Sequence, residues 1–212
     1  MTSRKTRSRS SISALAASLV FLNILLVHGV ATAGVATEQI KATVDKALVV
    51  LKDPRFKTAA KSKERREQLK QILFARFDFG EMSKRALGPN WRRRTPQEKN
   101  EFTRLFAELL ERAYATAIES YTDEKVVYIG EKLDGMYADV NSKIITGKGE
   151  EFSINYKTHL VGSEWKVYDI VVENISMVNN FRSQFNRVIS NSSYEELVRR
   201  LKNKNADSGQ QN

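Results

Sequence analysis

Apolar positions recur along the chain with two different periods, and the change of period divides it. From Ala36 to Leu51, the residues Ile40, Val44, Ala47, Leu48 and Leu51 fall at helical spacing. Asp53-Pro54 ends that run, because a residue before proline is driven out of the helical region. A second helix is expected over 61–77, charged at its start and apolar at Leu69, Ile72, Leu73 and Phe77. Phe79, Met82 and Leu87 continue the pattern in a short third helix closed by Gly88-Pro89. Thr95-Pro96-Gln97-Glu98 then has the makings of a capping box, with proline in the first turn. The helix it opens is expected to reach about Tyr121. Its broad apolar face, from Phe102 through Leu110 and Tyr114 to Ile118, implies more than one neighbour.

Beyond Lys125 the period shortens to two. The stretches 125–130, 136–146, 151–161 and 164–173 are rich in β-branched and aromatic residues, with Gly or Asp-Gly between them. They are expected to form four antiparallel strands joined by hairpins. In the third, Phe152, Ile154, Tyr156 and Leu160 share one face, and Ser153, Asn155, Lys157 and His159 the other. The fourth is apolar on both faces, with Trp165, Val167 and Val171 on one and Tyr168, Ile170 and Val172 on the other. A strand between two packed layers has that character. Helices return over 175–190 and 194–202, and 203–212 is a polar tail expected to be disordered. No internal repeat is found. The fold class is α+β, with helices packed on a four-stranded antiparallel sheet in a single domain, 34–202.

The first 33 residues are set apart. Arg4, Lys5, Arg7 and Arg9 precede an apolar run, Ile12 to Val30, and then Ala31-Thr32-Ala33, a pattern that signal peptidase cuts. Residues 1–33 are therefore expected to be a signal peptide, with retention as an N-terminal anchor the alternative. The chain carries 35 Lys+Arg against 25 Asp+Glu. Four of the basic residues lie in the leader, so the mature protein keeps 31 and a net charge of +6. Export removes it from nucleic acid but leaves anionic lipid and acidic proteins within reach. There is no cysteine, which excludes disulfides, thiolate nucleophiles and thiolate metal sites.

Three groups of residues invite a functional reading. Arg92-Arg93-Arg94 beside Trp91 is a phosphate clamp or a solvated loop, and basic runs are more often the latter. His159, with Asp169 and Glu173 on a neighbouring strand, is a hydrolytic candidate, but it alternates with polar residues on the face expected to meet water. No G-x-S-x-G, H-E-x-x-H or phosphate-cradling glycine loop occurs, and no enzyme or cofactor is expected. The third group is the aromatic set between helices and sheet, which is either an ordinary core or the lining of a cavity. Periodicity does not separate the two, since both use the same residue types.

Two ordered blocks carry a resemblance. One is Phe77-Asp78-Phe79, Met82, Ala86-Leu87-Gly88, Trp91-Arg92, Thr95-Pro96 and Glu98, followed by Phe102, Phe106, Leu109, Tyr114 and Tyr121. The other is Trp165-Lys166-Val167-Tyr168-Asp169-Ile170, then Glu173 to Val178, then Phe181-Arg182-Ser183-Gln184-Phe185. Together they resemble the MlaC-like, toluene-tolerance family of periplasmic phospholipid-binding proteins. Asn174 stands where that family usually has glycine, and asparagine tolerates a left-handed turn. The resemblance implies a cone-like, nuclear-transport-factor-like shape built on a curved sheet. It also implies a periplasmic, non-enzymatic carrier that shuttles phospholipid between the outer and inner membranes, with acyl chains in an internal apolar cavity. The implied partners are an outer-membrane lipoprotein complex and an inner-membrane ABC transporter with an MCE-domain ring, and no nucleic acid. The alternative is a periplasmic protein-interaction module without lipid. By position in the matching blocks, Phe79, Tyr114, Ile118, Tyr156, Trp165, Val167 and Ile175 are the expected cavity lining.

Overall fold

The structure, a computed structural model, describes residues 34–56, 58–121 and 123–207. The expected signal peptide, 1–33, lies outside them, as does the end of the expected tail. Six α-helices are found among the described residues: α1 (Val35–Lys52), α2 (Ser62–Phe74), α3 (Phe79–Leu87), α4 (Pro96–Glu119), α5 (Met177–Asn191) and α6 (Tyr194–Asp207). α6 thus continues past Lys202 into the stretch read as a tail. α4 opens on the capping box: Thr95 Oγ1 accepts from the Glu98 N–H at 3.2 Å, and Glu98 accepts from the Thr95 N–H at 2.7 Å. α3 is capped by Asp78 and stops at Gly88, whose φ of 55° suits glycine. The Arg182 guanidinium fills the space a side chain at Gly88 would need.

The strands are β1 (Lys125–Asp134), β2 (Tyr137–Ile145), β3 (Glu151–Val161), β4 (Glu164–Val172) and β5 (Ile175–Ser176), in one antiparallel sheet in that order. The expected four-stranded meander is present, with β5 added. Glu173 and Asn174 take φ of 48° and 64°, a left-handed pair that reverses the chain at once. Ile175 therefore pairs with Val172 in β5 instead of opening the last-but-one helix as expected. α5 starts at Met177, and Ser176 caps it by accepting from the Asn179 N–H at 3.0 Å.

Two bulges alter the simple alternation. One lies between Tyr128 and Gly130 in β1, and the other is opposite Lys157/Thr158, where Tyr168 of β4 has no direct partner. Past the second, Ile170 joins the same cluster as Trp165 and Val167, not the face of Tyr168 as strict alternation predicts. β4 is still packed on both sides. The extra residue turns Tyr168 outward, toward a helical cluster.

Three apolar clusters hold the domain. The first joins α3, the first half of α4, α5 and α6 around Met82, Phe102, Phe106 and Phe185, with Tyr168 reaching in from β4. The second lays the first half of α1 on the sheet, with Ala36 and Ile40 against Ala138, Val140, Trp165 and Val167. The third joins the second half of α1 to α2 and the end of α4 through Ala47, Val50, Leu51 and Leu69, with Ile118 and Tyr121 alongside. Glu131 of β1 fixes the start of α1 by accepting from the Thr37 N–H and Oγ1 at 2.7 and 2.8 Å. Arg76 ties α1 to β4 by donating to Thr43 Oγ1, Gln39 Oε1 and the Trp165 carbonyl.

Candidate functional site

α1 touches the sheet with its first half and α2 with its second, so it leaves the sheet as it runs. The face it leaves is read from the strand register, since directly opposed residues share a face. One cross-strand row is Val140, Tyr156 and Ile170, the next is Tyr128, Ser142, Ile154, Val172 and Ile175, and the last is Val126, Ile144 and Phe152. Toward this end the apolar side chains become accessible: Phe152 is 43% exposed, Val172 42% and Ile175 65%.

On the helical side, Leu110, Tyr114 and Ile118 form one strip of α4, and Tyr121 follows just past its end. Leu110 belongs to the first cluster, and Ile118 and Tyr121 to the third. Tyr114, 37% exposed, belongs to neither. Phe74 likewise stands outside all three, its ring 4.5 Å from that of Phe79. The candidate site is the apolar surface of the uncovered rows of the sheet, with Tyr114 and Phe74 the helical aromatic residues that the clusters leave out.

Hydroxyls lie among these apolar rows. Ser142, fully buried, donates to the Ile154 carbonyl at 2.6 Å. Tyr156 is hydrogen-bonded to Ser142, and burial still pushes its phenol up to about 12. Burial raises the Tyr128 phenol as well, helped by Tyr156 and Asp45 nearby. The Tyr128 hydroxyl is buried, and among the described residues it has no hydrogen-bond partner. Burial also raises the Tyr114 phenol. These groups are neutral at physiological pH, so they bring dipoles and no charge to these positions.

The expected lining residues divide. Phe79 packs against the first cluster, Tyr156 against the second and Ile118 against the third, Tyr114 belongs to none, and Ile175 is exposed on the uncovered part of the sheet. Trp165 and Val167 are buried with Ala36 and Ile40 in the second cluster. Tyr128, Phe152, Ile154, Ile170 and Val172 were not among the expected residues. Alternation placed Phe152 and Ile154 on the face of Tyr156, but only the departure of α1 shows that this part of the face is uncovered.

The other candidates lie elsewhere. His159 is on the opposite face of the sheet and pairs with Asp78, Nε2 to Oδ2 at 2.9 Å, in a three-ring cluster with Tyr137 and Tyr168. The other Asp78 oxygen accepts from the Glu81 N–H. Asp169 and Glu173, the acids first set beside His159, serve backbone. Asp169 accepts from the Val178 N–H and Ser176 Oγ, and Glu173 from Ser153, which holds its carboxyl below the usual range. In the basic run, Arg94 pairs with Glu98 and lies over the Tyr194 ring, while Arg92 and Arg93 are exposed. Two open clefts, of about 350 and 400 Å³, are lined by charged residues such as Arg85, Lys132 and Asp139, and Asp53, Arg55 and Glu64. Among the described residues, no group of His, Asp and Glu is placed to hold a metal ion. No described helix is long and apolar enough to cross a membrane.

The fold defines an α+β domain whose antiparallel sheet leaves part of one apolar face uncovered. A family model described as "MlaC protein" matches residues 41–203, and the chain belongs to that family. It is 28% identical over 121 residues to the toluene tolerance protein ttg2D of Pseudomonas putida, spanning 56% of each chain. It is 25% identical over 122 residues to the intermembrane phospholipid transport system binding protein MlaC of Haemophilus influenzae, spanning 55% of this chain and 57% of that one. These alignments thus cover just over half the length of either relative. A solved phospholipid-binding protein from Ralstonia solanacearum, in complex with a phospholipid, superposes with a TM-score of 0.71 at 28% identity. The match covers 81% of this chain and 97% of that protein.

Proposed function

We propose that this protein is a periplasmic phospholipid carrier that takes acyl chains against this apolar surface and moves lipid between the outer and inner membranes. The observation that carries the reading is the uncovered inner face of the sheet, where Phe152, Val172 and Ile175 stay exposed opposite no helix of their own. A folded protein ordinarily covers such a face, and a contiguous apolar surface left open marks a binding site. Membership of the MlaC family and the likeness to a protein solved with phospholipid bound support lipid as the occupant.

The physical role follows from transfer free energies. Each methylene withdrawn from water gains about 0.8 kcal/mol, on the protein as in a bilayer. Exchange between the two is therefore nearly balanced, and the carrier's work is to lower the cost of crossing water. No bond is made or broken. Control falls to docking on the membrane partners, proposed to be an outer-membrane lipoprotein complex and an inner-membrane ABC transporter with an MCE-domain ring.

The test is native mass spectrometry of the protein purified from a Gram-negative periplasm, followed by lipid extraction. One phospholipid per chain is the expected result. An apo mass that persists after incubation with phospholipid vesicles would sink the reading and favour a protein-interaction module using the same surface.

A further inference from the structure

Basic side chains from three elements meet at one turn without carboxylate partners. The 3₁₀ turn between α3 and α4, Gly88–Arg93, carries Arg92 and Arg93, both exposed. Lys99 of α4 lies over the Trp91 indole in that turn, its Nζ 5.5 Å from the ring centroid. Arg182 of α5 folds against Gly88 at the start of the turn. Asn90 donates to Asn186 Oδ1 at 3.1 Å, one helical turn further along α5, and so fastens α5 to the same place. Arg92, Arg93, Lys99 and Arg182 form no ion pair among the described residues, and the nearby carboxylates are engaged with other cations. Glu81 pairs with Lys84 and Arg85, Glu98 and Glu195 with Arg94, and Glu101 with Lys202.

We propose that this turn is a docking face for an anionic membrane surface, distinct from the uncovered sheet face that the carrier reading assigns to acyl chains. Residues 34–212 hold 31 Lys+Arg against 25 Asp+Glu, and these four unpaired cations concentrate that surplus in one place. Charged groups on long, unfastened stems suit a fluid layer of lipid phosphates, which offers charge at many positions and demands no fixed geometry. A specific acidic protein would be better met by side chains held in place beforehand, and neither of the two charged clefts opens at this turn. Trp91 adds an amphipathic ring of the kind that settles at headgroup level. Such attraction fades within a Debye length, so contact is reversible and weakened by salt. It holds the protein beside a membrane whether or not it carries cargo.

The experiment is co-sedimentation with vesicles of phosphatidylcholine alone, or of equal parts phosphatidylcholine and phosphatidylglycerol, at low and high salt. The wild type is expected to bind the anionic vesicles at low salt, to leave them at high salt, and to ignore the neutral ones. Arg92→Gln with Arg93→Gln removes two exposed charges and is expected to weaken binding about 30-fold with an unchanged circular dichroism spectrum. Lys46→Gln with Lys148→Gln removes two exposed charges elsewhere, on α1 and on the turn between β2 and β3, and is expected to stay close to the wild type. Equal losses in the two double variants would make net charge the cause and overturn the assignment. No binding of the wild type to anionic vesicles would also overturn it and pass the face to an acidic protein. Neither result touches the carrier reading, which rests on lipid stoichiometry.

Discussion

Ile175 and Trp165 illustrate how two large apolar residues in one protein come to have different duties. Trp165 is packed under α1, and its backbone N–H donates to Gln39 Oε1 at 2.8 Å, so removing its side chain would open a cavity in the fold. Ile175 is 65% exposed on the uncovered part of the sheet, and the fold gains little from it. Ile175→Asp is therefore expected to change stability by no more than roughly 0.5 kcal/mol, as for ordinary surface positions. A carboxylate in that row would meet any acyl chain, so the same variant is expected to lose most of its co-purified lipid. Urea denaturation together with lipid extraction checks the pair. Full lipid stoichiometry would remove Ile175 from the site, and a large loss of stability would make it a core residue. The sequence marked Ile175 by its place in a motif, without showing whether it was covered. Exposure depends on where α1 lifts from the sheet, more than a hundred residues away in the chain.

Elements were legible where local chemistry decides them. The capping box at Thr95, the stop at Gly88 and the left-handed Asn174 each act within a few residues, and all three are realised. What escaped were effects of partners distant in sequence. The bulge at Tyr168 is set by register against β3, and no pattern within β4 announces it. β5 exists because the turn at Glu173-Asn174 is tight enough for Ile175 to pair with Val172. The join between β4 and α5 depends on Asp169, which is buried and accepts from the Val178 N–H at 3.0 Å and from Ser176 Oγ. Asp169→Ala would leave that buried N–H unsatisfied and weaken the cap that Ser176 provides. The expected loss is about 2–3 kcal/mol, the cost of an orphaned buried group plus part of a cap. A lower urea midpoint with an unchanged m-value would bear this out. A midpoint equal to wild type would mean that solvent or another group takes over the carboxylate's role.

Across the whole domain, the sheet and the helices are anchored unequally. The sheet is continuous, and α3, α5 and α6 share one large cluster with the first half of α4. α2 contributes one buried residue, Leu69, and no residue of α4 beyond Leu110 is buried. These parts are held by the small third cluster and by ion pairs such as Arg66 with Glu119 at 2.9 Å and Lys70 with Glu111 at 2.9 Å. Partly exposed pairs of this kind contribute little each and are weakened by salt. The helical wall is therefore the side expected to give when lipid enters, and an acyl chain would add apolar contacts to Tyr114 and Phe74, which stand outside the three clusters. Ligand binding stabilises whatever it touches in the folded state, and amide exchange reports that locally. Phospholipid loading is expected to slow exchange in α2 and over 111–119 while leaving α3 and α5 close to their unloaded values. Slowing spread evenly over all helices would describe a rigid domain in which the first cluster and the wall respond as one. No slowing in α2 or 111–119, at full lipid stoichiometry, would place the acyl chains away from this wall altogether.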